Sequence, residues 1–403
     1  MIVGIDGSNI RVGGGVTHLV NLLASADPEA IGIARFRVWA RRETLDHLPV
    51  RPWIEPVAEP ALDRPILHRL AWQVRDLPVL ARSCDLLFAP GGTTFHRFSP
   101  IVCMSQNLLP FEWRELRRYG VSRTAFRLLM LRLAQRRAFH HSDGVIFLSE
   151  YAERIVRRSV SIPGATTVIP HGIDSTFLEA PRPQRPLTAC SSQDPLRLLY
   201  VSIVDVYKHQ WQVARAVAAL RRRGIPLACT FVGPAYEPAV RRLRRVLADV
   251  DPRAEFLRYQ GAVPHSELPA AYHGAELFIF ASSCENMPNI LIEAMASGLP
   301  IACSDHGPMP EMLGEAGLYF NPESPGSIMR AIERLAHDPE LRARCAAEAH
   351  RRAHAYSWVR CARDTLRFLT EVRHRHERRR IPDRSRTAVE RTRVEASSRT
   401  RRG

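Results

Sequence analysis

The sequence predicts an α/β protein made of two domains, each a parallel sheet with helices on both faces, facing one another across a cleft. Three observations predict it. At 403 residues the chain is long enough for two ordinary domains with separate cores. Continuously apolar runs such as LRLLYVS (196–202) and ELFIFAS (276–282) alternate with amphipathic stretches, the pattern of strands buried on both faces. The alternation occurs twice, interrupted near 180–195 by a loose stretch containing proline and serine that reads as a linker.

In the first half, IVGID (2–6) reads as a strand. It runs through a turn at Gly13, Gly14 and Gly15 into a helix over about 16–25. Further strands are expected at 35–40, 85–89, 101–105, 144–148 and 166–170. A helix is expected over 122–139, with Phe126, Leu129, Met130, Leu133 and Ala134 on one side and arginines on the other. The second half is more regular. Strands at 196–202, 227–233, 255–261 and 276–282 alternate with helices at about 209–222, 236–249 and 265–273. PNILIEAMAS is then a helix, PIACS a strand and GLYFN another. Tyr356-Ser357-Trp358 marks a bend between the last two helices.

These readings divide the chain into a first domain over 1–180, a linker over 181–195 and a second domain over 196–356. A basic tail follows at 373–403. Hydrophobic residues make up 45% and charged residues 24%, an ordinary globular balance. No run approaches the roughly 20 apolar residues of a membrane-spanning helix. The start, MIVGIDGSN, lacks a basic segment and a long apolar run, so it does not read as a signal peptide. The eight cysteines are scattered without a CxxC pair, which favours small buried hydrophobes over a zinc site or a disulfide frame.

The net charge is +16, and half of it lies in residues 373–403, where twelve arginines face four acids. A segment so poor in apolar residues is expected to be disordered. A second basic cluster at 114–137 holds eight arginines and one acid, Glu115. No nucleic-acid motif accompanies this charge. Attraction to an anionic membrane surface explains it better, and a merely solvated arginine face remains open.

The most informative segment is CENMPNILIEAMASGLPIACSDHGPMPEM (284–312). A strand ends near Ser282, Glu285 lies in the following loop, and a helix is expected to begin at Pro288, a residue suited to the first helical position. The amides of Asn289, Ile290 and Leu291 would then lack partners, and with the helix dipole they make a phosphate site. Glu285 and Glu293 are better placed to accept hydrogen bonds from sugar hydroxyls on either side of that phosphate. Lys208 follows the strand 196–202 and is the only lysine among 57 basic residues. Its compact charge on a flexible stem suits a diphosphate that gains charge as it leaves. The glycine run at 13–15 permits close backbone approach to a ligand. His96 and His171 read as structural or exposed rather than catalytic. There is no Walker loop, no HExxH and no GxSxG.

Lys208, the Glu285…Glu293 pair followed by EAMASGLP, VIPHGID and the N-terminal glycine loop together resemble the family 4 retaining glycosyltransferases of GT-B fold. The resemblance is strong over 196–360 and weaker over 1–175. It implies that Glu285 sits by the transferred sugar, Glu293 binds the nucleotide ribose and Lys208 grips the diphosphate. Met287, Asn289 and Ile290 would supply amides to phosphate and sugar, and a last helix over 357–372 would cross back to the first domain. Several positions depart from the pattern. Ile203 stands where many members carry an arginine, and Ser202 replaces a glycine. Asn286-Met287-Pro288 replaces Gly-Phe-Gly, and Gln106-Asn107 stands where a histidine is often found on the acceptor side.

The resemblance implies hexosyl transfer from a nucleoside diphosphate sugar to a glycan or lipid-linked acceptor with retention of configuration. The wording SQNLLPFEWRELRRYG is most similar to bacterial mannosyltransferase-like members that build surface polysaccharides such as lipopolysaccharide. GDP-mannose is therefore the favoured co-substrate, with no metal and no other cofactor expected. The expected location is cytoplasmic, on the inner membrane face. Two alternatives stay open: a GT-B-like sugar-nucleotide epimerase, and a non-catalytic nucleic-acid-binding protein.

Overall fold

The computed structural model describes residues 1–380 apart from Val12 and Arg97. Seven strands form a first sheet: β1 Ile2–Gly7, β2 Arg35–Ala40, β3 Ile54–Ala58, β4 Leu86–Ala89, β5 Ile101–Met104, β6 Gly144–Phe147 and β7 Ala165–Val168. Six form a second: β8 Leu196–Val201, β9 Leu227–Val232, β10 Leu257–Gly261, β11 Leu277–Phe280, β12 Ile301–Ser304 and β13 Leu318–Phe320. The orders are β3-β2-β1-β4-β5-β6-β7 and β10-β9-β8-β11-β12-β13. Every neighbouring pair is parallel. Strands β4, β5, β6, β11 and β12 are buried at every residue, as their unbroken apolar runs require.

In each sheet the chain starts in the middle, builds to one edge and then returns to build the other. The strand order therefore reverses between β1 and β4, and again between β8 and β11. At such a reversal the loops leave for opposite faces and open a crevice beyond the carboxyl ends of the strands. The two crevices face each other. Loops after β5, β6 and β7 touch the loop after β11 through Ser105, Ser149 and His171.

The sequence reading missed β3, whose IEPVA carries a proline in mid-strand. Pro56 has no amide to give to a ladder, and β3 is the sheet edge, where that loss is tolerated. The helix Arg123–His141 forms as expected but is turned round. It buries Ala125, Leu128, Gln135, Ala138 and Phe139, while Phe126, Met130 and Leu133 of the expected inner side are exposed. Two apolar stripes run along this helix. The sheet takes the one ending in Phe139, whose ring packs between Phe111 and Phe147.

The last helix, Trp358–Arg380, packs against the helix Gly14–Ala24 and strands β4 and β6 of the first sheet. Glycines allow that approach: a Cβ on Gly172 would lie 2.1 Å from the Trp358 amide, and one on Gly144 would lie 2.8 Å from Val372. The helix does not stop at 372 but runs through Arg380, so the first part of the stretch expected to be disordered is helical. The rest of the basic tail, 381–403, lies outside the described residues. All eight cysteines are free, and only Cys190 is not fully buried. Among the described residues no helix is long and apolar enough to cross a membrane.

Candidate active site

The strand-order reversal of the second sheet brings two sequence-distant loops side by side. The loop after β8 carries Lys208, and the loop after β11 carries Glu285. Tyr200 locks them together: its hydroxyl donates to the Lys208 carbonyl and accepts from the Ala281 amide. His209, with φ 51°, takes a left-handed turn that starts the helix Gln210–Arg222 and sets the direction of Lys208. The Lys208 ammonium pairs with the Glu285 carboxylate and stands 5.1 Å from the ring centres of both Tyr207 and Phe280. Lys208 is only 4% exposed, so this cation is held out of bulk water.

The helix after β11 spans Asn289–Ala296. Pro288 is its cap, with an extended ψ of 103°, rather than its first helical residue. The expectation of three free amides is corrected by one backbone bond. The Leu291 N–H donates to the Pro288 carbonyl at 3.0 Å, and the orphan donors are those of Asn289 and Ile290. Met287 is buried beneath this start, with its sulfur 3.2 Å from the His171 amide. The Asn289 side chain is held by His171 Nδ1 at 3.0 Å.

Glu293 is buried but does not join Lys208. It accepts from the Tyr272 hydroxyl at 2.9 Å, and its other oxygen stands 3.8 Å from His265 Nε2. That carboxylate, through its hydrogen bond, raises the His265 pKa. The two acids thus flank the helix start on separate sides, and neither is turned out to solvent.

On the facing domain, Gly15 lies against Gln106, whose Oε1 would be 3.1 Å from an added Cβ. Gly13, at φ 68°, caps the helix Gly14–Ala24, and Gly13 and Gly14 have open space above them. Asn107 does not join this pair. It is exposed, and its side chain accepts from the Leu109 amide as a turn residue.

Sequence reasoning missed the contacts that hold the domains together. Glu115, 3% exposed, reaches from the first domain to accept from Ser283 Oγ at 2.8 Å and from Arg118. His209 Nε2 joins Ser283 Oγ at 2.9 Å, and burial keeps this histidine neutral, with a pKa of about 4. Arg114 and Arg118 both pair with Glu323 at 2.7 Å. Tyr119 donates to Asp205 at 3.0 Å. Asn286 donates to the Ser105 carbonyl at 2.6 Å, and Glu311 accepts from the Glu150 and Tyr151 amides. Part of the basic cluster at 114–137 is thus spent on closing the cleft. His171, read as structural, is buried in a stack with His18 and Trp358 and has a pKa of about 4 through burial. On the loops after β5, β8, β11 and β7, Ser105 Oγ, Ser202 Oγ, Asn286 Oδ1 and His171 Nε2 are buried without partners among the described residues.

Two parallel-sheet domains, closed on each other at their strand-order reversals over a buried lysine and a free helix start, define a GT-B protein. Residues 191–352, which contain the whole second sheet, match the family described as "Glycosyl transferases group 1". The chain is 32% identical to the O-antigen chain mannosyltransferase B of Escherichia coli over 114 residues, covering 28% of this chain and 30% of the relative. The matched stretches span about half the length of the curated relatives, or less. Among solved structures, sucrose-phosphate synthase from Thermosynechococcus elongatus superposes with a TM-score of 0.72 at 19% identity, covering 92% of this chain and 99% of that one. Anabaena Alr3699/HepE in complex with UDP does so with a TM-score of 0.65 at 18% identity, covering 92% and 99%.

Proposed function

We propose that the chain transfers a hexosyl group from a nucleoside diphosphate sugar to a glycan or lipid-linked acceptor, with retention of configuration. The observation that carries this reading is the buried Lys208–Glu285 ion pair on a loop that leads, four residues after Glu285, into a helix start where the Asn289 and Ile290 amides have no hydrogen-bond partner among the described residues. An ammonium and two amides in a water-poor cleft are suited to charge that grows on a departing diphosphate. Glu293, away from Lys208 and beside His265, suits the ribose.

In the mechanism, the acceptor hydroxyl attacks the anomeric carbon on the face that the diphosphate leaves. The departing phosphate oxygen takes the hydroxyl proton. Glu285 orients the sugar, and no protein carboxylate forms a bond to it, unlike the two-carboxylate chemistry of glycosidases. Closure through Glu115, Asn286 and Glu311 excludes water that would hydrolyse the donor. The reading needs no metal. Mannose is favoured by the O-antigen chain mannosyltransferase relative, which also favours a role in surface polysaccharide synthesis, and GDP-mannose is the donor that the sequence resemblance favours.

The acceptor side is read as working at the inner membrane face. Exposed Trp113, Val121, Phe126, Met130 and Leu133 interleave with arginines and support attraction to anionic lipid. Flotation with anionic vesicles tests this, and absence of binding removes it. The transferase reading is tested by Lys208→Ala with a panel of sugar nucleotides and radiolabelled acceptor extract. Transfer should fall about 10²–10³-fold, the loss typical of one preorganised charge donor. Near-normal transfer refutes the charge assignment. Sugar isomerisation without an acceptor would point to an epimerase instead.

A further inference from the structure

An open surface pocket lies at the C-terminal end of the helix Arg123–His141, away from the cleft. Its volume is about 760 Å³, and its walls carry Arg136, Arg137, His140, His141, Arg157 and Arg158, with no carboxylate among the lining residues. The helix has 19 residues and so spans about 28 Å. Its first turns pack with Val206, Tyr207 and Tyr236 beside the cleft, which leaves the cavity about 20 Å or more from Lys208.

The walls are fixed independently of any ligand. Arg132 donates to Ser159 Oγ at 3.0 Å and to the Pro110 carbonyl at 2.9 Å. His140 Nδ1 donates to the Ser161 carbonyl at 2.9 Å, tying the helix end to the segment after the helix Glu150–Arg157. Arg157 is committed to Glu153 and Thr166. Arg136, Arg137 and Arg158 make no ion pair among the described residues. Three exposed guanidiniums around one pocket, with no acid among its lining residues, make its surface positive, and a multiply charged anion would balance that charge. A carboxylate brings one charge. A phosphomonoester or diphosphate brings two or more, with oxygens spaced for the guanidinium fork.

We infer that this arginine cavity is a phosphate site separate from the cleft, taking a phosphomonoester or diphosphate group. The inference does not rest on sugar transfer, so the two can fail separately. Calorimetry with inorganic pyrophosphate on full-length Lys208→Ala, where the cleft charge is gone, should still report one site. Adding Arg136→Ala and Arg158→Ala should weaken that site about a hundredfold through two lost charge-assisted hydrogen bonds. Arg136→Lys with Arg158→Lys, which keeps charge without the fork, should give an intermediate loss. No pyrophosphate binding by Lys208→Ala, or unchanged affinity in the double alanine variant, overturns the site. Vesicles containing phosphatidic acid separate the sources. If the phosphate belongs to a lipid headgroup, the double alanine variant loses flotation on them. If it is a free phosphate compound, flotation is unchanged while pyrophosphate affinity falls.

Discussion

Glu285→Gln is expected to slow transfer and yet tighten the grip on the nucleoside diphosphate. In the closed cleft the Glu285 carboxylate occupies the ammonium that the proposed diphosphate would need, and both side chains are nearly buried, at 13% and 6% exposure. An incoming phosphate must share Lys208 with a carboxylate of its own sign. A phosphate oxygen on the far side of that ammonium would sit about 5 Å from the carboxylate, where two unit charges at an effective dielectric of about 20 repel by about 3 kcal/mol. The amide keeps the shape and a weaker hydrogen bond but removes the repulsion. Allowing for the stronger hold of the carboxylate on a bound sugar, a net gain of about 1.4 kcal/mol, or tenfold in Kd, is expected. Calorimetry with GDP and UDP reads the affinity, and single-turnover transfer reads the chemistry. Lys208→Ala is the opposite control, losing both affinity and rate. Unchanged or weaker nucleotide binding by Glu285→Gln would show that the diphosphate does not meet this ion pair.

Glu293→Gln should weaken nucleoside diphosphate binding about tenfold while turnover at saturation changes little, because Glu293 contacts Tyr272 and His265 rather than Lys208. A matched fall in kcat alone would refute its place on the nucleoside side. Glu115→Gln replaces the buried charge held by Arg118 and Ser283 and should cost about 1–3 kcal/mol of closure. KM should rise severalfold, and the radius of gyration from small-angle scattering should increase; an unchanged radius counts against the clamp. Stability should fall on acidification. His171 and His209 are held at about 4 by burial, below the ordinary 6.5, so between these values the unfolded chain takes up protons that the folded chain refuses. That stability is complete above pH 6.5 and is lost toward pH 4, at up to about 1.4 kcal/mol per pH unit for each histidine. His18 and His96 are shifted the same way by burial, so His171→Asn with His209→Asn should flatten the slope of urea stability between pH 7 and 5 by about half. An equal slope would mean other groups carry it.

Much of this architecture was legible because its signals are local. Buried parallel strands must be continuously apolar, so LRLLYVS, ELFIFAS and IVGID declare themselves, and a lone lysine after a strand stands out among arginines. The edge strand β3 did not, because an edge tolerates Pro56 and needs no unbroken apolar run. The helix Arg123–His141 shows a different limit. Its periodicity establishes that a face is apolar, but two faces are, and only the packing of Phe139 between Phe111 and Phe147 selects one. Pro288 fits either the cap or the first helical turn, and only the structure shows that its carbonyl takes the Leu291 amide out of the free set.

The cleft itself depends on pairs that no spacing reveals. Glu115 meets Ser283 across 168 positions, and Asn286 meets Ser105 across 181. Each looks like a solvated residue on its own, Glu115 in the short helix Trp113–Arg117 and the others on strand-end loops, and each is explained only when two strand-order reversals face one another. The same topology puts Lys208 beside Glu285, 77 positions away. A carboxylate that neutralises the buried lysine while the cleft is empty lets that charge exist in a closed, water-poor space before a diphosphate arrives. On the function proposed above, Glu285 would have a second role besides orienting sugar, as the stand-in for the phosphate. That is why its removal is expected to move binding and turnover in opposite directions.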